Sequence, residues 1–297
     1  MTIRFGHSPD PDDAFMFYAI AKNKIDTKEF RIAHVVEDIE SLNQRALKAE
    51  LEVTAVSVHA YAYIHHQYAI LRSGASIGDQ YGPIIVSRES SPLVGEEKGG
   101  GVPPSLLSPV KGEGVKHSLR GKTIAVPGML TTAFLALKLF EPEFRYVIVP
   151  FDQILDFVKS GKADCGLVIH EGQLTYQEHG LHKILDLGEW WWRQTGLPLP
   201  LGVDVIQKSL GLEKMKSFSQ VFKDSILYSL GHRKEALYYA LPYGRGISEE
   251  TGDQFVGMYV NDYTVDLGQN GEESIRELLK RGYEQKILSE KVTPEFI

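Results

Sequence analysis

A strand, a proline-broken loop and a helix that opens on two polar residues followed by Ala-Phe occur twice in this chain, and that recurrence restricts its fold more than any other feature. Residues 2–6 lead through HSPDPDD to Asp12, Asp13, Ala14 and Phe15, and residues 122–126 lead through PGML to Thr131, Thr132, Ala133 and Phe134. Both polar pairs suit a helix start, where backbone N–H groups lack partners and the helix dipole is positive. The unit continues alike in both places: a helix over residues 42–48 precedes an apolar run at 53–57, and a helix over 154–159 precedes one at 165–170. Uninterrupted apolar strands belong in parallel sheets covered by helices on both faces. Few identities link the copies, yet the order agrees across two elements, so the expected fold class is α/β with two similar lobes.

The 297 residues suffice for two domains, but a division at the middle would cut the second copy in two. After the extended segment LPLPLGVDVIQ, helical periodicity covers residues 212–230, 233–240 and 272–287, where Ile275, Leu278, Leu279 and Tyr283 share a stripe. Without strands of their own, these helices are expected to complete the first lobe. Lobe one is therefore read as residues 1–87 plus 206–297 and lobe two as 88–205, with crossings near Ile85 and Val205 and a hinged cleft between them. Residues 89–120 include GEEKGGGVPPSLLSPVKGEG, rich in glycine and proline and without periodicity. They read as an exposed insertion, either a lid or a solvated loop.

Composition removes several function classes. Lys plus Arg (32) against Asp plus Glu (39) leaves a net charge of -7, the wrong sign for a nucleic-acid binder, so a small-molecule ligand is favoured. The one cysteine, Cys165, cannot form an internal disulfide. No apolar run is long enough to span a bilayer, and the N-terminal MTIRFGHSPDPDD has neither an apolar core nor a small-residue cleavage site. A cytoplasmic location is expected, with no membrane or nucleic-acid partner.

Familiar catalytic signatures are incomplete. Gly121, Lys122 and Thr123 look like the end of a phosphate loop, but Lys116 stands where its first glycine belongs. His170 and Glu171 begin a zinc-binding HExxH pattern that stops at Leu174, and the adjacent His65 and His66 point in different directions, so no metal site is expected. No GxSxG surrounds Ser57, and no glycine-rich turn follows the first strand.

What survives is a set of polar residues at strand ends and helix starts, where open α/β sheets place ligands. Ser57 ends an apolar strand, and Asn43, on the preceding helix, faces either the same cleft or solvent. Thr131 and Thr132 either receive an anion at a helix start or merely cap it. His170 follows the buried run GLVI and would act either as a general base, with a reference pKa near 6.5, or as a strand-end histidine satisfied by a backbone carbonyl. Glu171 would orient it or lie on the opposite side of the strand, His7 would contact substrate or pack a loop, and His59 reads as structural.

The segments SPDPDDAFMFYAI, EDIESLNQRAL, GPIIVSR, AVPGMLTTAF, GLVIHEGQLTY and DLGEWWWRQTGLPLPLG carry a resemblance over nearly the whole chain outside the insertion. They resemble the 1,4-dihydroxy-6-naphthoate synthase family of the futalosine route to menaquinone. The resemblance implies a type II periplasmic-binding-protein fold and a carbon–carbon lyase that converts cyclic dehypoxanthine futalosine to the dihydroxynaphthoate, without a cofactor. It also implies that His170 is the proton acceptor, that Ala55, Val56 and Ser57 form one substrate wall and Thr132 with Ala133 the other, and that Asn43 belongs to the cleft. An anionic substrate would be anchored by its carboxylate at the Thr131–Thr132 helix start. The chain departs from the family where the first loop reads PDD in place of Asn-Asp-Thr, and in the added insertion. The alternatives are a chorismate dehydratase-like lyase, whose resemblance lacks the HEGQLTY and LPLPLG segments, and a non-catalytic solute-binding protein, which would need no base at a strand end.

Overall fold

A computed structural model describes residues 1–89 and 119–297, so the expected insertion lies almost wholly outside the described residues. The chain begins β1 (Thr2–His7), α1 (Pro11–Ala21), β2 (Arg31–Val36), α2 (Ile39–Leu47), β3 (Val53–Ser57), α3 (Val58–Ile64), β4 (Tyr68–Ile70) and β5 (Ser76–Gly78). The middle of the chain gives β6 (Ile84–Ser87), β7 (Thr123–Val126), α4 (Thr132–Phe140), β8 (Arg145–Ile148), α5 (Ile154–Lys159), β9 (Cys165–Val168), α6 (Gly172–Thr175), β10 (His182–Asp186) and α7 (Leu187–Thr195). It ends with β11 (Leu199–Gln207) and the helices α8 (Leu212–Gly231), α9 (Arg233–Ala240), α10 (Glu249–Tyr259), α11 (Asp262–Val265) and α12 (Gly268–Glu284).

Two sheets result, ordered β2-β1-β3-β11-β4, with β5 also on β11, and β10-β6-β9-β7-β8. In the first, β1 runs parallel to β2 and β3, and β11 is antiparallel to β3. In the second, β7 runs parallel to β8 and β9, and β6 is antiparallel to β9. The repeated unit is thus a repeated topology: β2-β1-β3-β11-β4 and β8-β7-β9-β6-β10 each place one antiparallel strand fourth among strands that otherwise run the same way. Every residue of β3 and β9 is buried, as continuous apolar strands at a sheet centre require.

The antiparallel strands correct the expected lobe boundary. Ile84–Ser87, placed above in lobe one, pairs with β9 and β10 in the second sheet, whereas β11, most of it placed above in lobe two, pairs with β3 and β4 in the first. The chain therefore changes sheets between β5 and β6 and again between β10 and β11. Both strands are mostly apolar, so their composition fits either sheet and only pairing separates them. The two crossings touch: a Cβ on Gly188 would lie 1.9 Å from the Tyr81 carbonyl oxygen, so only glycine fits.

Packing joins the lobes beneath the cleft. One core contains Val56 and Tyr61 from the first lobe, Ile124 and Leu137 from the second, and Trp191, Leu278 and Leu279 from the helices around them. Trp191 is wholly buried and donates its indole N–H to the Pro198 carbonyl at 3.0 Å. The C-terminal helix α8 packs on the first sheet: its Phe218 and Phe222 lie edge-on against Phe5 of β1.

Candidate active site

A cavity of about 100 Å³ lies between the lobes, at the ends of β1, β3 and β9 and the starts of α1 and α4. Alternation along β3 decides which of its residues reach it. Ala55 and Ser57 line the cavity, while Val56 between them is fully buried in the opposite core. Val56 therefore does not present a side chain to the cavity, which corrects its place among the wall residues. Asn43 is wholly buried and spends its amide on Ser57, accepting from the Ser57 N–H at 2.9 Å and donating to Ser57 Oγ at 3.1 Å. Asn43 thus faces neither cleft nor solvent but holds Ser57. Because Asn43 fills one lone pair of Oγ, the Ser57 hydroxyl proton is left to donate elsewhere.

Thr131, Thr132 and Ala133 line the other wall. Thr131 is the N-cap of α4: its hydroxyl accepts from the Phe134 N–H at 3.2 Å and donates to the Gly128 carbonyl at 2.9 Å. The Thr132 hydroxyl is also committed, donating to the Leu201 carbonyl at 2.6 Å and accepting from the His59 N–H at 3.2 Å. What remains at this helix start is backbone. The first N–H groups of a helix have no intrahelical acceptor, so those of Thr132 and Ala133 can receive a carboxylate, favoured by the dipole.

His170 sits just behind the wall formed by Ile169 and is 5% exposed. Its Nδ1 accepts from the Gly172 N–H at 2.9 Å, which puts the proton of the neutral ring on Nε2, 2.9 Å from the Phe151 carbonyl oxygen. Burial lowers its pKa, and the charges of Glu171 and Asp10 oppose that shift. A Cβ on Gly172 would lie 2.5 Å from the His170 Cε1, so the glycine lets the ring seat against the backbone. Glu171 is 3% exposed, with Oε2 3.7 Å from His170 Nδ1, and its carboxylate is held by Arg245 Nη1 at 2.7 and 2.8 Å.

Arg245 belongs to the segment after α9 in lobe one, and it also reaches Asp10 at 2.7 Å and stacks over the Phe151 ring at 4.6 Å. It ties both lobes together across the mouth of the cleft. Two further contacts do the same: Tyr259 donates to Gln173 Oε1 at 2.9 Å, and Glu40 accepts from the Leu130 N–H at 3.2 Å. The other two buried histidines, His7 and His59, serve packing. His7 stacks on Phe17 at 4.3 Å with Nδ1 on the Ser8 carbonyl and Nε2 near His34, while His59 lies against the Thr131 carbonyl at 3.3 Å. Burial pushes both down to about 4.

Sequence reasoning passed over three carboxyls. Asp12, Asp13 and Asp204 all line the cavity and are 8%, 7% and 1% exposed. The signal was present in GVDVI, a lone acidic residue inside a buried apolar strand. No group of three or more His, Cys, Asp or Glu among the described residues has the geometry to hold a metal ion. No described helix is long and apolar enough to cross a membrane.

A family model described as menaquinone biosynthesis matches residues 3–284. The chain is 34% identical over 295 residues to the 1,4-dihydroxy-6-naphthoate synthase of Thermus thermophilus, covering 99% of both. Among solved structures, a protein from Archaeoglobus fulgidus superposes with a TM-score of 0.85 at 41% identity, covering 96% of this chain and 98% of that one. The ligand-binding component of an ABC-type import system from Staphylococcus aureus superposes with a TM-score of 0.69 at 12% identity, covering 99% and 97%. That last likeness shows the periplasmic-binding-protein fold and no more.

Proposed function

The chain belongs to the menaquinone-biosynthesis family, and on that premise we propose that it is the carbon–carbon lyase that releases 1,4-dihydroxy-6-naphthoate from cyclic dehypoxanthine futalosine held between its lobes. The observation that carries this reading is the pairing of free backbone donors at the start of α4 with the Ser57 hydroxyl on the same cavity. The substrate carboxylate is anchored by the Thr132 and Ala133 N–H groups, with Ala55 and Ser57 as the facing wall and Asn43 positioning Ser57. Negative charge in a dehydrated cleft is costly unless such donors meet it, and a helix start supplies them already oriented.

His170 is the general base of this reading. Burial keeps its ring neutral at pH 7, the state in which imidazole can accept a proton. To do so it exchanges the Gly172 N–H at Nδ1 for the substrate, a rearrangement that fits the parting and closing of the lobes. The electron pair released then breaks the carbon–carbon bond, and aromatisation of the naphthalene ring supplies the driving force. The test is incubation of the purified protein with the cyclic substrate while naphthoate fluorescence is followed. Product is expected from the native protein, and a folded His170→Ala variant should lose about 10²- to 10⁴-fold in rate. Ligand capture without product would make this a binding protein, and near-native turnover by His170→Ala would remove the histidine from the chemistry.

A further inference from the structure

At the lobe-one end of the cavity the structure keeps two buried carboxyl oxygens without partners: Asp12 Oδ1 and Asp204 Oδ1. An unsatisfied buried polar group costs stability, and a valine at the Asp204 position of β11 would avoid that cost. The backbone around Asp204 is shaped to admit the carboxyl. Gly74 approaches it with φ at +94°, and a Cβ there would lie 2.2 Å from Asp204 Oδ2. Asp204 is also the cross-strand partner of Ala55, so it shares the face of the sheet that presents Ala55 and Ser57 to the cavity. Asp13 stands beside it, its Oδ2 accepting from the Ser8 N–H at 2.6 Å.

We propose that Asp204, with Asp12 and Asp13, forms a subsite for the aliphatic hydroxyl groups of the ligand, opposite the carboxylate anchor at the start of α4. The proposal rests on the functional reading above and extends it by orienting the substrate in the cleft. Hydroxyls match this floor because each can donate to an orphan carboxyl oxygen and accept from a protonated one. Burial, with the charge of Asp13 acting on Asp12 and Asp204 and that of Asp10 on Asp12 and Asp13, raises the pKa of Asp12 and Asp204 well above the usual carboxylate range and that of Asp13 to about 7. A largely un-ionised floor offers no excess of donors for an anion and little charge for a cation. The carboxylate end of the substrate therefore goes to the helix start, and its nucleoside-derived, hydroxyl-bearing part goes to the aspartates.

The experiment compares two ligands that share the carboxylate but not the aliphatic hydroxyls: cyclic dehypoxanthine futalosine and 1,4-dihydroxy-6-naphthoate. Asp204→Val should raise KM for the substrate about 10- to 100-fold while its affinity for the naphthoate stays within about twofold, and its thermal midpoint should not fall. Asp204→Asn, which keeps a donor and an acceptor, should lie between native and Asp204→Val, and it decides the matter alone if the valine variant fails to fold. Equal weakening of both ligands, or native KM and kcat in both variants, overturns the subsite. If the native protein leaves the cyclic compound unchanged, it is the functional reading that fails. The floor is then judged by saturation-transfer NMR with D-ribose: binding lost in Asp204→Val supports it, and no binding to the native protein overturns it.

Discussion

Asp13 shows how much a single buried group can report. Its carboxyl is pushed up to about 7 by burial, whereas in an unfolded chain it ionises at the usual value of 3.8. Between those two pH values the unfolded chain has lost a proton that the folded protein keeps, so stability declines as pH rises through that window and levels off above it. Asp13→Asn removes this titration while preserving an acceptor for the Ser8 N–H. The fall in thermal midpoint between pH 5 and pH 8 should become shallower in the variant, with Asp12 and Asp204 supplying the remainder; an unchanged slope would place the proton elsewhere. His170 is the converse case, readable as a candidate in GLVIH, yet with a tautomer set by Gly172 and Phe151, one of them remote in sequence. Asn43 was likewise visible as a cleft candidate, but its commitment to Ser57 depends on how α2 packs against β3.

The helix starts were the most legible elements. α4 begins at Thr132 behind a Thr131 cap, as the TTAF pattern implies, because capping depends on residues within one turn. Thr131→Ala should cost about 1 kcal/mol in urea unfolding, since the Phe134 N–H loses its acceptor, and Thr131→Ser should restore most of it. A variant of native stability would mean that water replaces the cap without loss. α7 was less legible: LGEWWWRQT has no simple apolar stripe, yet the Asp186 side chain caps its start, Gly196 ends it at φ 70°, and only Trp191 of the three tryptophans is fully buried. α12 was expected at residues 272–287 and spans Gly268–Glu284, with Ile275, Leu278 and Leu279 buried as the stripe requires and Tyr283 42% exposed. The shift is about one turn, because the stripe identifies a face more sharply than it identifies an end.

At the scale of the molecule the lobes share a core beneath the cleft, and across its mouth they are tied by a few side chains, among which Arg245 makes several contacts. It carries Glu171 and Asp10 together, so its removal leaves a buried Glu171 carboxylate without a partner, which destabilises the closed form by roughly 3–5 kcal/mol. Arg245→Ala should therefore enlarge the radius of gyration in small-angle scattering without ligand and raise KM about tenfold or more, by the cost of closing on substrate. Unchanged scattering and KM would show that Tyr259 and Glu40 suffice to hold the lobes. Sequence alone determined the repeated strand–loop–helix unit, the helix caps and the candidates at strand ends, because each rests on contacts within a few residues along the chain. Tertiary structure decided which sheet receives β6 and β11, which polar groups are already committed and which carboxyls are left unpaired. Those outcomes depend on contacts between residues such as Glu171 and Arg245, or Ala55 and Asp204, that local pattern cannot bring together and only packing does.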